Sequence, residues 1–120
     1  MRSSGEQIIE NILKQNNIPY KTQKQFDTCY FPENNYFAKF DFWVNNKYII
    51  EYDGEQHFYF KDNPYTWNNH TNHLMVKKHD EFKNNWCKKN NIPIIRIPYT
   101  HKEQIKLEDL LLETTQFRIV

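Results

Sequence analysis

Asp41-Phe42-Trp43-Val44-Asn45-Asn46-Lys47-Tyr48-Ile49-Ile50-Glu51-Tyr52-Asp53-Gly54 is the stretch whose reading decides the fold. Two short runs rich in aromatic and branched residues flank an Asn-Asn-Lys segment, the pattern of two strands joined by a tight turn. Side chains alternate across a strand, so Phe40, Phe42 and Val44 share one face while Asp41 and Trp43 share the other. Tyr48, Ile50 and Tyr52 likewise alternate with Ile49, Glu51 and Asp53. A three-residue loop, Asn45-Asn46-Lys47, sets Asp41 across from Glu51 on one face; a two-residue Asn-Asn turn sets them on opposite faces. Like charges directly opposite destabilise a sheet unless something neutralises them. A hard cation with oxygen ligands does so, and magnesium commonly takes one or two carboxylates with water and phosphate completing its shell. A shared ion therefore requires the odd loop. Gly54 ends the second strand and lets the chain turn sharply, which can bring His57 back over the acids.

Asp41-Phe42 followed by Ile50-Glu51-Tyr52-Asp53-Gly54-Glu55-Gln56-His57 resembles the PD-(D/E)XK restriction-endonuclease-like superfamily, in particular its small very-short-patch-repair-like endonucleases of bacteria, phages and large DNA viruses. The resemblance runs from Gly5-Glu6 to Arg96-Ile97-Pro98, and its central block is the specific part. It implies an α/β fold, α+β with a mixed sheet, whose αβββαβ core here carries a C-terminal helix. It implies a Mg²⁺-dependent DNA endonuclease, with Mn²⁺ as a substitute, in which Asp41, Glu51 and the Tyr52 main-chain carbonyl bind the ion. DNA is the implied partner, with no nucleotide cofactor and no membrane, and a homodimer is left open. One departure stands out: Asp53 occupies the position of the superfamily's usual lysine, which leaves the general base unassigned.

Outward from this block, Ser3-Ser4 and Glu6-Gln7 form a helix N-cap followed by the stripe Ile8, Ile9, Ile12 and Leu13. The helix is expected to end at Asn16-Asn17 before Pro19, and Asn90-Asn91-Ile92-Pro93 repeats that junction after a second helix. Tyr20 to Tyr30 reads as partly extended, an edge strand leading to a loop at Pro32-Glu33-Asn34-Asn35. Strands are expected at about 38–44 and 47–53, a polar and aromatic loop at 58–69, and a helix over about 70–90 with Met75, Phe82 and Trp86 on one side. Ile92 to Ile97 reads as a short buried strand. A last helix near 102–113 carries Ile105, Leu107, Leu110 and Leu111. The order α-β-β-β-α-β-α fits a mixed sheet flanked by helices.

The chain has 120 residues, the size of one domain. Only 38% of residues are hydrophobic but 17% are aromatic, so the core is expected to rest on large rings. No apolar run approaches about 18 residues and no signal-peptide pattern opens the chain, so a soluble, intracellular protein is expected, in a bacterial or virus-infected cytoplasm. Cys29 and Cys87 lack the spacing of a zinc site and are expected to stay reduced. Two glycines leave no phosphate-binding loop, which excludes a nucleoside triphosphatase of that type. Net charge is +1, unevenly spread: residues 26–60 hold six acids and two bases, and residues 61–102 hold eight bases and three acids. Acids bordered by basic surface suit a metal-dependent nuclease, with Gln56 and lysines such as Lys77, Lys78, Lys88 and Lys89 on the phosphate backbone.

Among candidate catalytic groups, Asp41 and Glu51 are the ligands, and Asp53 either orients water, binds a second ion or caps the Gly54 turn. His57 is a base, a water-positioning group or a ligand. Glu6 is either the capping glutamate or an acid facing the ion. Lys83, one helical turn from Asp80, either pairs with it or replaces the absent strand lysine by reaching in from the helix. Arg96, on an apolar strand, needs a partner if buried. Two other readings stay open: a binding module of this fold without catalysis, and a histidine-metal nuclease using His57 or the His70/His73 region.

Overall fold

The computed structural model describes residues 3–55 and 67–120, with side chains in the second segment described from residue 74. It is a mixed α+β structure: α1 (Ser4–Gln15), β1 (Tyr20–Lys24), β2 (Phe40–Val44), β3 (Tyr48–Asp53), α2 (Trp67–Lys89) and β4 (Ile94–Pro98), followed by two 3-10 segments, Tyr99–Gln104 and Leu107–Leu110. The four strands form one sheet in the order β1-β2-β3-β4. β1, β2 and β3 pair antiparallel and β4 joins β3 in parallel, the crossover running through α2.

Local chemistry explains the boundaries. Ser3 caps α1 by accepting the Glu6 N–H at 3.2 Å, and Asn16 closes the helix. Asn17 and Asn91, which follow the two helices, both sit at φ 56°, the left-handed conformation that Asn tolerates better than most residues. The β2–β3 turn settles the register. Asn45 and Asn46, at φ 54° and 50°, are the central pair of a tight turn closed by Lys47 N–H to the Val44 carbonyl at 2.9 Å. Pairing nevertheless resumes at Val44↔Tyr48, which makes Lys47 an extra, bulged residue and the loop three residues long.

Two apolar layers enclose the sheet. Ile9 and Leu13 of α1 pack on Phe42, Val44, Ile50, Ile95, Ile97 and Leu110. On the opposite face, Cys87, Phe82 and Trp86 of α2 cover Ile49, Ile94 and Trp43, with Cys29 and Ala38 filling the edge. Phe40 lies here too and not with Phe42 and Val44 as alternation predicts, so the regular alternation breaks between Phe40 and Phe42. Both cysteines are free, and burial pushes their thiols up, Cys29 to about 11 and Cys87 to about 12. The outer edge of β4 is covered by the C-terminal residues: Ile94 N–H donates to the Val120 carbonyl and Arg96 N–H to that of Phe117, both at 3.1 Å.

The expected last helix is not formed. Its sequence divides into the two 3-10 segments around an extended Ile105 and Lys106. The Asp109 carboxylate accepts the Lys106 N–H at 2.9 Å and lies 3.0 Å from His101 Nε2. This side-chain bond competes with a continuous helical ladder, while Leu110 still reaches the core.

Gly5 brings α1 onto the sheet. A Cβ there would overlap the Tyr52 ring, so Gly5→Ala is expected to destabilise the fold by roughly 1–2 kcal/mol. Overpacking costs about 1–3 kcal/mol and outweighs the gain of up to about 1 kcal/mol in helix propensity. Urea midpoints compared with Gly5→Ser, which meets the same obstacle without the same propensity gain, check this.

Candidate functional site

The β2–β3 ladder ends at Phe42↔Ile50; just beyond it Glu51, which meets Lys83 of α2, lies close enough for its charge to raise the Asp41 carboxyl. The three-residue loop is the one a shared cation requires. At this end of the ladder the Tyr52 N–H donates to Asp41 Oδ2 at 2.8 Å, so a carboxylate serves as the acceptor. Asp41 is half-buried and Glu51 only 4% exposed. Burial, then the Glu51 charge, pushes the Asp41 carboxyl up to about 8, with Glu6 adding to the rise and the Tyr52 N–H opposing it. Near neutral pH the metal-free pair thus shares its negative charge with a proton on Asp41.

Lys83 reaches the acids from α2. Its ammonium lies 2.8 Å from Glu51 Oε1, donates to the Lys39 carbonyl at 2.7 Å and sits 4.8 Å from the centre of the Phe40 ring. The approach to Oε1 satisfies the distance of an ion pair but not the direction of a hydrogen bond, and Oε1 remains a buried oxygen without a hydrogen-bond partner. Both statements hold: the attraction is electrostatic, and Oε1 retains acceptor capacity. Lys83 thus reaches in from the helix to a strand carboxylate.

Asp53 has a different setting from those anticipated. Parallel pairing puts Arg96 beside Glu51, and its guanidinium donates to Asp53 Oδ1 and to Asn84 Oδ1, each at 2.8 Å, with Asp80 Oδ1 at 3.5 Å. Burial alone disfavours the charged guanidinium, but Asp53, Glu51 and Asp80 outweigh it and hold the Arg96 pKa above its ordinary value. Asp53 is therefore a buried counter-ion. Arg96 has the partner its burial demands, and Asp80 faces this network. Asp53→Ala is expected to lower stability by about 3 kcal/mol, the lower end for breaking a buried pair, because Asp80 and Asn84 remain near the cation. Thermal or urea unfolding of Asp53→Ala beside Asp53→Asn measures it.

Glu6 belongs to the α1 cap, with Ser3 Oγ 3.2 Å from its carboxylate, and its charge reaches Asp41. Lys77, Lys78, Lys88 and Lys89 are exposed along α2, as backbone-contacting lysines need to be. Gln56, His57 and residues 58–66 of the loop expected at 58–69 lie outside the described residues, as do the side chains of His70 and His73; residues 67–69 belong to the first turn of α2 and not to a loop. Among the described residues no group of three or more His, Cys, Asp or Glu side chains converges on a metal position, and no helix is long and apolar enough to cross a membrane.

Sequence reasoning passed over the Asn84–Arg96–Asp53 network, whose members come from α2, β4 and β3. Parallel pairing of β3 with β4 is the contact that joins them, and no local pattern announces it. No family model, curated protein or solved structure matches the chain.

Proposed function

We propose that the protein is a metal-dependent DNA endonuclease that hydrolyses phosphodiester bonds by attack of an activated water, in line with its resemblance to the PD-(D/E)XK superfamily. The observation that carries this reading is the proximity of Asp41 to Glu51, whose charge raises its carboxyl, beside the Lys83 ammonium. Two carboxylates, one with an orphaned buried oxygen, fit a magnesium ion that keeps several waters. Asp41 and Glu51 would hold it, with the Tyr52 carbonyl next on the strand. When bound, the ion polarises the phosphate and lowers the pKa of a coordinated water. The chain's own groups do the rest. Asp41 gives up its proton as a cation takes over the charge balance. Lys83 supplies positive charge where negative charge grows on the phosphate oxygens. Arg96, fixed by Asp53 and Asn84, holds Glu51 in place through its field.

Incubating the protein with duplex, single-stranded and branched DNA, and with RNA, in Mg²⁺, Mn²⁺ or EDTA tests the proposal. Cleavage of DNA with either ion and none in EDTA is expected; no cleavage of any DNA with either ion sinks it. A second reading, a nucleic-acid-binding module without catalysis, is favoured by the charge balance: Lys83 on Glu51 and Arg96 on Asp53 compensate these acids without a metal. DNA binding that neither ion converts to cleavage selects it.

A further inference from the structure

A groove of about 630 Å³ lies beside the acids, between the 25–39 segment and α2. Lys83 and Asp80 line it, so the residue whose ammonium touches Glu51 also belongs to the wall of the groove. Its volume is in the range of roughly 300–1,000 Å³ that bound small molecules and single residues of a polymer occupy.

Exposed rings line it: Tyr36 is 72% exposed and Phe37 47%, and Tyr30, 46% exposed, packs edge-on against Phe37. These are three of six large hydrophobic side chains exposed among the described residues, and all lie within eight positions. The segment that carries them is tightly tied. Phe31 N–H donates to the Tyr36 carbonyl at 2.9 Å, Asn35 N–H to the Phe31 carbonyl at 2.8 Å, and Tyr36 N–H to Asn34 Oδ1 at 2.9 Å. Phe31 anchors it to α2 by stacking on His79, centres 3.9 Å apart and planes 21° from parallel. Exposed rings on a fixed backbone are pre-organised for stacking and lose little freedom on binding.

We propose that this groove binds an unpaired nucleotide of a nucleic-acid strand, its base stacked on Tyr36 and Phe37 and its phosphate directed to Lys39 and Lys83. The proposal rests on the nuclease reading and narrows its substrate to DNA with unpaired bases. Charge complementarity selects the occupant: the groove combines exposed rings with two lysines and the amides of Gln25 and Asn35, a composition suited to a base and its phosphate and poor for an apolar helix. Aromatic stacking is tolerant of sequence but needs an open base face, which a paired duplex does not present. A base seated here brings its strand to the Lys83 ammonium, which touches the candidate catalytic carboxylate.

Fluorescence anisotropy in EDTA tests the groove with three labelled probes: oligodeoxythymidylate, a duplex with an unpaired bulge, and the fully paired duplex. Wild type is expected to bind one or both of the first two at least about tenfold more tightly than the third. Preference for the free strand over the bulge identifies single strands as the source, and the reverse identifies local defects in duplex. Tyr36→Ala and Phe37→Ala should each weaken binding to the unpaired probe by about tenfold and leave the paired duplex unchanged, whereas Tyr36→Phe keeps the affinity. Tyr36 is exposed, so circular dichroism of its variants should match wild type. Equal affinity for all three probes, no effect of Tyr36→Ala, or full affinity in Tyr36→Leu overturns the proposal. So does a wild-type dimer that Tyr36→Ala dissociates, which would make the patch a contact between copies. Selective binding without cleavage of any substrate overturns the nuclease reading and leaves the groove; metal-dependent cleavage without selectivity does the reverse.

Discussion

Under the proposed nuclease function, Asp41→Asn and Glu51→Gln are each expected to lower the rate of DNA cleavage by more than about a thousandfold, the loss that follows when a site gives up the several kcal/mol that a bound cation supplies. Single-turnover cleavage with saturating Mg²⁺ measures this, and full activity in both variants removes these residues from the metal site. Stability separates the two replacements. In the metal-free protein the Asp41 carboxyl titrates near 8, pushed up by burial and by Glu51, while in the unfolded chain it titrates near 4. Between those values the folded protein holds the proton more firmly, so the stability from this group is full below about pH 4 and declines as pH rises toward 8. Asp41→Asn removes that slope. Its metal-free melting temperature should therefore gain on wild type as pH increases, with a lead of several degrees at pH 8.5 if an unpaired buried charge costs roughly 1–3 kcal/mol. Mg²⁺ should release a proton on binding and bind more tightly as pH rises to about 8. Calorimetry in two buffers of different ionisation enthalpy reads this directly. Glu51→Gln instead strands Lys83 and weakens the field around Arg96, so its melting temperature should fall.

Lys83→Ala is expected to reduce the proposed turnover by about a hundredfold to a thousandfold, the usual loss on removing one group that stabilises developing oxyanion charge. Its effect on affinity for duplex DNA is small by comparison, because the ammonium is turned inward to Glu51 and the Lys39 carbonyl. Lys88→Ala and Lys89→Ala should show the opposite pattern. Each removes an exposed charge, weakens binding across sequences and reduces the slope of log affinity against log salt by about one. Lys83→Arg distinguishes charge from fit. The guanidinium keeps the charge but is wider and planar, so partial recovery of turnover is expected. A Lys83→Ala protein that cleaves like wild type and binds like Lys88→Ala would reduce Lys83 to a surface lysine and favour the binding module.

Local chemistry made much of this protein legible from its residues. The Ser3 cap, the two Asn-closed helix ends and the alternation of Phe42 and Val44 with Asp41 and Trp43 depend on interactions only a few positions long. Each element of the observed order through β4 follows from such signals. The C-terminal stripe of Ile105, Leu107, Leu110 and Leu111 misled for the same reason. Its spacing allows a helix, but the Asp109 bonds to Lys106 and His101 are satisfied only in the two shorter turns.

The candidate site divides along the same line. Residue alternation grouped Asp41 with Trp43 and Glu51 with Asp53, but whether the two groups faced the same side of the sheet depended on whether Lys47 paired or bulged. Asn45-Asn46 is compatible with either outcome, so only the assembled hairpin decided it. Lys83 was named from its helical position, yet 30 positions separate it from the aspartate standing where a strand lysine was expected. Packing of α2 over the sheet is what brings its ammonium to Glu51. Asp53 was withdrawn from the acid group by Arg96, a residue 43 positions away, once β4 lay parallel to β3. Short-range hydrogen bonding and alternation are written in consecutive residues. Which charges meet depends on how separate elements pack, because a buried ion takes whichever partner the finished core places within reach.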